Sequence, residues 1–480
     1  MPDLTATLDE APLSRFHSRA IVTAGMGFFT DAYDLFIIGT ATTLIAKQWH
    51  LSSSQTGLVN SITLISAFVG AFFFGRLADK LGRTRIYGLE ALLMVGGALA
   101  SAFAPDLAWL LVFRFVLGIG VGGDYPMSAV LMSEYANRKN RGRLVGLVFS
   151  MQALGTVAGY VVGLTLLSAG VRDDITWRLL LGFGALPAAA VIYLRRRMPE
   201  SPRYLERVDG RPEEATAAVK KFSEGALVVD AEPAGGRRSR RLSLWSFVSD
   251  RRYLTVLIGT AGSWFFFDYA YYGNSVSAPL IVSSVLGKSA TLPQVLALQL
   301  MVFSVAAVPA YFLAAFFMDR IGHRRLQLIG FPLMGLAFLL IGVIPGITAA
   351  ITPFLLLFGV SYFFAEFGPN TTTFVLAGEV FPTSARTTGH GISAGVAKVG
   401  AFIGVYVFPI MKTDFGVSGA LRISALFALV GTLLTLLIPE PAGRSLDDVA
   451  AEEVVAGAES IVASAADPLR SARSGRGGAG

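Results

Sequence analysis

Gly122-Gly123-Asp124-Tyr125-Pro126-Met127-Ser128-Ala129, within an apolar stretch that already carries Arg114, places an acid and a base where a membrane helix would carry neither. Ionisable groups at bilayer depth cost roughly 2.5 to 3.5 kcal/mol each on insertion scales, so those that persist pair internally or mark a transport path. Gly118 and Gly122 form a small-xxx-small pair that lets a second helix approach closely, and Pro126 frees a carbonyl that polar neighbours must satisfy. No nucleophile with an adjacent base, metal-ligand cluster or phosphate-cradling loop of the soluble kind is present, so an enzyme is the weakest reading and neither cofactor nor metal is expected.

Composition dictates the elements that must position these groups. Hydrophobic residues fill 53% of the 480 positions and charged ones only 15%, a balance foreign to a soluble domain of this length. Apolar segments recur at 19–45, 55–78, 86–104, 107–132, 144–169, 176–194, 253–283, 293–318, 326–345, 350–376, 388–411 and 419–438, which makes about twelve spans. The expected fold is therefore an all-α multi-pass membrane protein. The formal charge of +7 could suggest nucleic acid, but its distribution argues against that partner. Lys80, Arg83 and Arg85; Arg138, Lys139, Arg141 and Arg143; Arg195, Arg196 and Arg197; and Arg320, Arg324 and Arg325 fall in alternate loops, whereas the intervening loops offer little beyond Lys47, Arg172 and Lys288. The positive-inside rule then puts both termini in the cytoplasm. Asp3, Asp9 and Glu10 precede a first span too long for a signal-peptide core, so that span is expected to remain as an anchor. Cysteine is absent, and with the alanine and arginine bias this points to a bacterial inner or plasma membrane.

Residues 195–250 form the one long polar interruption and divide the spans six and six. The expected organisation is a cytoplasmic segment 1–18, a six-helix bundle 19–194, a central cytoplasmic loop 195–250, a second bundle 251–438 and a cytoplasmic tail 439–480. In the loop, Glu213 to Phe222 suits a helix; Glu232 to Gly236 with Arg237, Arg238, Arg240 and Arg241 reads as flexible and basic; and Leu242, Leu244, Trp245 and Phe247 suit a short helix on the anionic leaflet. The end from Ser471 to Gly480 reads as disordered.

The halves also repeat faintly. Asp79-x-x-Gly82 with Arg83 is echoed by Asp319-x-x-Gly322 with His323, Arg324 and Arg325. Glu134 stands seven residues before Arg141, and Glu379 seven before Arg386. Tyr125 and Asn370 each lie nine before their glutamate, while Gln152 lies eighteen after Glu134 and Lys398 nineteen after Glu379. Polar positions of one half thus fall on polar positions of the other, as expected where a site sits between two pseudo-equivalent bundles. The Asp79 and Asp319 loops are expected to latch the cytoplasmic ends through ion pairs, with Glu134 and Glu379 as partners of Arg83, Arg141 and Arg386.

Gly75-Arg76-Leu77-Ala78-Asp79-Lys80-Leu81-Gly82-Arg83 is similar to the signature of the major facilitator superfamily. Pro199-Glu200-Ser201-Pro202-Arg203 and Pro439-Glu440-Pro441-x-Gly443-Arg444 resemble its sugar-porter-related branch. The run around Asp124 resembles, more narrowly, the phosphate:proton symporter family, whose usual string has Leu where this chain has Met127; Gly368-Pro369-Asn370-Thr371-Thr372-Thr373-Phe374, Gly378 to Thr383 and Gly389 to Ala394 resemble that family's second-half motifs. The resemblance implies two pseudo-symmetric six-helix bundles in the major facilitator fold. It also implies import of inorganic phosphate with protons by alternating access, a phosphate-contacting set of Tyr125, Gln152, Trp264, Asp268, Tyr272, Asn370 and Lys398, and a proton-handling set of Asp31, Asp34, Arg114 and Asp124. The resemblance does not place Glu366, whose role stays open. The expected partners are phosphate, protons and the lipid bilayer, and the expected assembly is a monomer.

The chemistry supports this reading independently. An anion entering a low-dielectric cavity needs a cation and dense donors; Lys398, about twelve residues past Arg386, falls near mid-bilayer at 1.5 Å per residue. Trp264, Asp268 and Tyr272, spaced i, i+4, i+8, share one helix face. Asp268 could accept a hydrogen bond from a phosphate hydroxyl, which fully deprotonated sulfate lacks. With the inside negative, each negative charge moved inward costs roughly 2.3 kcal/mol per 100 mV, so phosphate must bring protons. Plainer readings stand beside these: Arg114 and Asp124 neutralise one another as a structural pair, Lys398 snorkels, His390 packs at the cytoplasmic boundary, and Gly155, Gly159 and Gly163 make helix contacts. A proton symporter for an aromatic or other carboxylate explains Lys398 equally well, since Asp31-Ala-Tyr-Asp34-Leu also resembles that acid-transporting family, but it explains the Asp124 and Asn370 runs less well. A phosphate sensor would call for a larger cytoplasmic domain than this chain carries.

Overall fold

The computed structural model describes residues 4–225, 227, 238–239, 242–287, 290–450 and 454–455. Among the described residues, ten helices are long and apolar enough to cross a membrane. Six precede the central loop: α1 Arg15–Trp49, α2 Ser53–Leu81, α3 Arg83–Ala102, α4 Leu107–Tyr135, α5 Arg141–Ser168 and α6 Asp173–Arg195. After it come α7 Arg251–Val276, α8 Leu292–Ile321, α9 His323–Val343 and α10 Ile351–Ala377. The last long helix, Arg386–Thr435, is broken at Gly416, whose φ of 68° and ψ of 178° only glycine adopts readily, and so supplies two spans, α11 (386–415) and α12 (417–435). Its division, together with α7, whose tyrosines, serines and Asp268 dilute its apolar character, accounts for the expected twelve. The helices run several residues beyond the apolar segments because their last turns are polar and docked onto neighbouring chain.

Local signals set the ends. Ser52 opens α2 with a capping box in which its hydroxyl accepts from the Gln55 amide at 3.2 Å, and Asp106 opens α4 by accepting from the Trp109 amide at 3.1 Å. The α2–α3 and α8–α9 corners turn on Gly82 (φ 101°) and Gly322 (φ 103°), so the two halves share even this backbone conformation.

Small residues allow the helices to close on one another. A Cβ on Gly118 would lie 1.9 Å from Ser66 Oγ, and one on Gly122 1.9 Å from the Ala67 carbonyl, so this pair admits α2 against α4. Gly155 admits the Phe29 carbonyl of α1 to 2.0 Å of its absent Cβ. The halves meet where α2 packs along α11 and α5 along α8.

The central loop is more ordered than its composition suggests. Pro212–Phe222 and Leu244–Ser249 are helical, as expected, and Phe222 is buried against Phe16 and Tyr135. A short helix, Leu4–Glu10, docks its Leu4 and Leu8 in the same cluster, and a two-residue antiparallel pairing joins Arg238–Ser239 to Val454–Val455. Glu232 to Gly236, Arg237, Arg240, Arg241, Lys288 and the segment from Ser471 to Gly480 lie outside the described residues.

Overpacking should therefore be position-specific. Gly122→Leu should destabilise the purified protein by about 1–3 kcal/mol or more, because α2 must move. Gly96→Leu, where nothing lies within 4 Å of the new Cβ, should leave the thermal unfolding midpoint unchanged.

Candidate functional site

At the centre, side chains from both halves form one buried polar network. Lys398 of α11 donates to Asp268 Oδ2 of α7 at 2.9 Å, and its ammonium lies 4.6 Å from the Tyr125 ring centroid and 4.5 Å from that of Tyr272. A buried lysine is held by exactly such contacts: a paired carboxylate and the negative faces of aromatic rings. The ammonium does not snorkel. Tyr125 donates to Asp31 Oδ2 at 2.7 Å, and Gln152 Nε2 donates to the same oxygen at 3.3 Å and to the Tyr125 hydroxyl at 3.2 Å. Tyr311 donates to Gln152 Oε1 at 3.2 Å, and Asn370 Nδ2 donates to the Tyr311 hydroxyl at 2.8 Å and to Glu366 Oε2 at 2.5 Å. Trp264 completes the wall, its ring 6.0 Å from that of Tyr125. None of Asp31, Tyr125, Gln152, Trp264, Asp268, Tyr272, Asn370 and Lys398 is more than 2% exposed, so solvent reaches none of them.

The structure thus brings together all seven residues of the expected anion-contacting set, with Asp31. It separates the remaining acids and bases. Arg114 does not pair with Asp124, because ten residues along α4 turn the two side chains to different neighbours. Arg114 donates to Asp34 Oδ1 at 2.5 Å, while Asp124 accepts from Arg195 at 3.0 Å. Arg195, which the sequence assigns to a basic loop, is fully buried at the end of α6 and also donates to Glu90 at 2.9 Å. Gly27 makes room for this pair, since a Cβ there would lie 1.6 Å from Asp124 Oδ2. Asp31 accordingly lies between two acid–arginine pairs, Asp34–Arg114 and Asp124–Arg195.

Below Tyr125, Phe374 stacks on Phe149 with centroids 4.6 Å apart and meets Phe28 edge-on at 4.9 Å. His390 is fully buried, its Nε2 3.2 Å from the Phe374 carbonyl oxygen and its ring 5.6 Å from that of Trp264.

Beyond this aromatic layer the halves lock in a reciprocal pattern. Glu134 of α4 accepts from Arg83 at 3.2 Å in its own half and from Arg386 at 2.8 Å in the other. Glu379 mirrors it, meeting His323 at 3.1 Å and Arg141 at 3.3 Å. The Asp79 and Asp319 loops cross between halves through helix caps rather than the ion pairs expected. Asp79 accepts from the Thr388 amide and hydroxyl, each at 2.7 Å, at the start of α11; Asp319 accepts from the Gly142 and Arg143 amides at 2.9 and 2.8 Å at the start of α5. The ion pairs of these aspartates, with Arg83 at 3.3 Å and His323 at 3.0 Å, stay within their own loops. Glu200 and Glu440 cap the starts of α3 and α9 in the same way, accepting from the Thr84 and His323 amides at 3.0 and 2.8 Å. Burial raises the Glu379 carboxyl, but Arg141 and His323 outweigh it and hold the group below its usual range. Its stabilising contribution is therefore complete above the ordinary glutamate pKa of about 4.3 and is lost only as pH falls through the depressed value. This lock stays charged at neutral pH.

Sequence reasoning missed Tyr311, Glu90 and Arg195. Glu90 had a signal, as the lone acid in the apolar run of α3; Tyr311 had only its polar tip, and Arg195 was masked by Arg196 and Arg197.

Residues 20–452 match the model of the sugar (and other) transporter family. The chain is 36% identical to inorganic phosphate transporter 1-6 of Oryza sativa subsp. japonica, with 93% of this chain and 94% of that protein covered. It is 34% identical to the low affinity inorganic phosphate transporter 4 of Lotus japonicus, with 94% of each covered. The chain belongs to the inorganic phosphate transporter family of the major facilitator superfamily. The proton:xylose symporter XylE superposes with a TM-score of 0.78 at 18% identity, covering 92% of this chain and 99% of that one, which shows the shared fold of two pseudo-symmetric six-helix bundles.

Because the chain has no native cysteine, the lock is open to direct test. Ser133 of α4 donates across the halves to the Gly378 carbonyl at 3.1 Å and is fully buried. In a Ser133→Cys background, Glu134→Gln with Glu379→Gln should speed labelling by a charged thiol reagent about tenfold, the factor that about 1.4 kcal/mol of lost closure energy produces. An unchanged rate would mean the two glutamates do not hold this face shut.

Proposed function

We propose that this chain imports inorganic phosphate coupled to protons across the cell membrane, by rocking of residues 19–194 against 251–438 about the Lys398 site, with both termini cytoplasmic and the monomer as the working unit. The observation that carries the reading is the pairing of Lys398 with Asp268 inside a ring of donors drawn from both halves, in a chain whose relatives are named as inorganic phosphate transporters.

Lysine meets phosphate as a point charge, while Tyr125, Gln152, Trp264, Tyr272 and Asn370 supply hydrogen bonds. Asp268 Oδ2 already shares Lys398, but Oδ1 is buried without a partner and is suited to accept from a phosphate hydroxyl. Charge balance then requires protons. One ammonium faces Asp268 and Asp31, so an added anion leaves uncompensated negative charge in a dry site unless a carboxylate is neutralised. Asp31, hydrogen-bonded to Tyr125 and Gln152, is the carrier nearest the anion, and Asp34–Arg114 and Asp124–Arg195 flank it as steps on the proton's way. The Glu134, Glu379, Arg83, Arg141, Arg386, Asp79 and Asp319 lock must open for release on that side.

In proteoliposomes, radiolabelled phosphate uptake should follow an inward proton gradient, collapse with a protonophore, and fall at least about a hundredfold in Lys398→Ala, which strands buried carboxylates and removes the cation. No phosphate uptake by folded wild type would favour an organic anion instead. Asp268→Asn should narrow the preference for phosphate over sulfate; retained uptake with intact discrimination would remove the hydroxyl-recognition role of Asp268.

A further inference from the structure

Among the described residues, Glu366 and Asp31 are the two carboxylates at the site that make no ion pair, and of these Asp31 lies within electrostatic reach of the Lys398 ammonium whereas Glu366 does not. Glu366 is fully buried, and among the described residues no lysine, arginine or histidine bonds or pairs with it. Asp268 has Lys398, Asp34 has Arg114, Asp124 and Glu90 share Arg195, and Glu134 and Glu379 have their arginines. The groups facing Glu366 are phenols and one carboxamide: Tyr271 and Tyr272 from α7, Tyr311 from α8, and Tyr362 and Asn370 from α10. From α9 the turn meets Gly330 and the Leu326 carbonyl, which carry no charge. The backbone is distorted at this point: residues Glu366–Asn370 form a π-turn broken at Gly368 (φ −116°, ψ −107°), and π-turns inside helices recur at functional sites. Glu366 Oε1 has no hydrogen-bond partner.

We propose that Glu366 is a proton-exchanging residue of the transport cycle, coupled to the anion site through Asn370. The proposal rests on phosphate import as proposed above. The coupling is a competition for donors. Asn370 has two N–H donors, and both are engaged, one by Tyr311 and one by Glu366. An anion that recruits Asn370 must take a donor from one of them. An ionised Glu366 would then be left in a dry site with fewer donors and a second negative charge nearby, whereas a protonated one gives up the bond at little cost and can donate to a phenol instead. Phosphate binding and proton binding at Glu366 therefore favour each other, and the proton leaves the carboxyl when phosphate departs and Asn370 returns. No bond other than O–H is made or broken.

The test compares wild type, Glu366→Gln and Glu366→Asp in proteoliposomes. Glu366→Gln, which mimics the protonated acid, should retain phosphate–phosphate exchange at reduced rate yet accumulate about tenfold less phosphate per unit of imposed pH gradient, the loss of one coupled proton. Glu366→Asp should restore the wild-type ratio. In infrared difference spectra, a buried carboxylic acid band should change on adding phosphate to wild type and be missing in Glu366→Gln. An unchanged accumulation ratio in Glu366→Gln, or a band indifferent to phosphate, overturns the proposal while leaving phosphate import intact. Loss of exchange in both variants also overturns it, by making Glu366 a ligand or a structural group. A wild type that transports no phosphate overturns the import reading itself, and the titration of the Glu366 band with pH alone then decides whether the residue exchanges a proton at all.

Discussion

Among the described residues, Lys398 brings the one cation into the polar ring shared by the two halves, and the arrangement of that ring depends on how its ammonium is shared. Left alone in the membrane core it would be too costly to keep, so α7 brings Asp268 against it and α4 and α7 bring the faces of Tyr125 and Tyr272. On the proposed reading, an anion binds by taking part of that ammonium from Asp268. Any such exchange redistributes charge among carboxylates shut away from water, and protons are the only mobile countercharge available to them. In the proposed mechanism, anion binding and proton binding are in this sense one event.

The lock on the face that carries the Leu4–Glu10 helix has a complementary logic. Each half contributes a glutamate, a basic corner and an aspartate, and each inserts its charges at the start of a helix in the other half. Glu134 reaches Arg386 as Glu379 reaches Arg141, and Asp79 caps α11 as Asp319 caps α5. Such a two-fold set lets the halves part as rigid bodies, because the corner ion pairs Asp79–Arg83 and Asp319–His323 remain within their own half. Between lock and site, Phe28, Phe149 and Phe374 form a layer without charge.

Much of this was legible in the sequence, for identifiable reasons. The spans declare themselves by composition, and Tyr125, Gln152, Asn370 and Lys398 by being polar at matching positions in two apolar halves, whereas the full set with Trp264, Asp268 and Tyr272 comes from the family resemblance. Trp264, Asp268 and Tyr272 fall on one wall because their spacing permits nothing else on a helix. Pairing was harder to read. Arg114 and Asp124 lie on one helix but their partners come from α1 and α6, and no local signal reveals that Arg195 turns inward while Arg196 stays exposed. Tyr311 is silent for the same reason, since an aromatic in a membrane helix is ordinarily packing, and only the fold places its hydroxyl between Gln152 and Asn370. The reciprocal caps were invisible because backbone amides leave no trace in the side-chain pattern.

The most direct measurement is the number of protons taken up when phosphate binds to the purified protein in weakly buffered solution. The account predicts uptake of protons in step with phosphate, an affinity that falls as pH rises through the neutral range after allowance for phosphate's own ionisation, and loss of both in Lys398→Ala. Phosphate binding that leaves the proton balance and the pH dependence untouched would contradict it, because the single ammonium would then be satisfying the anion and the carboxylates together.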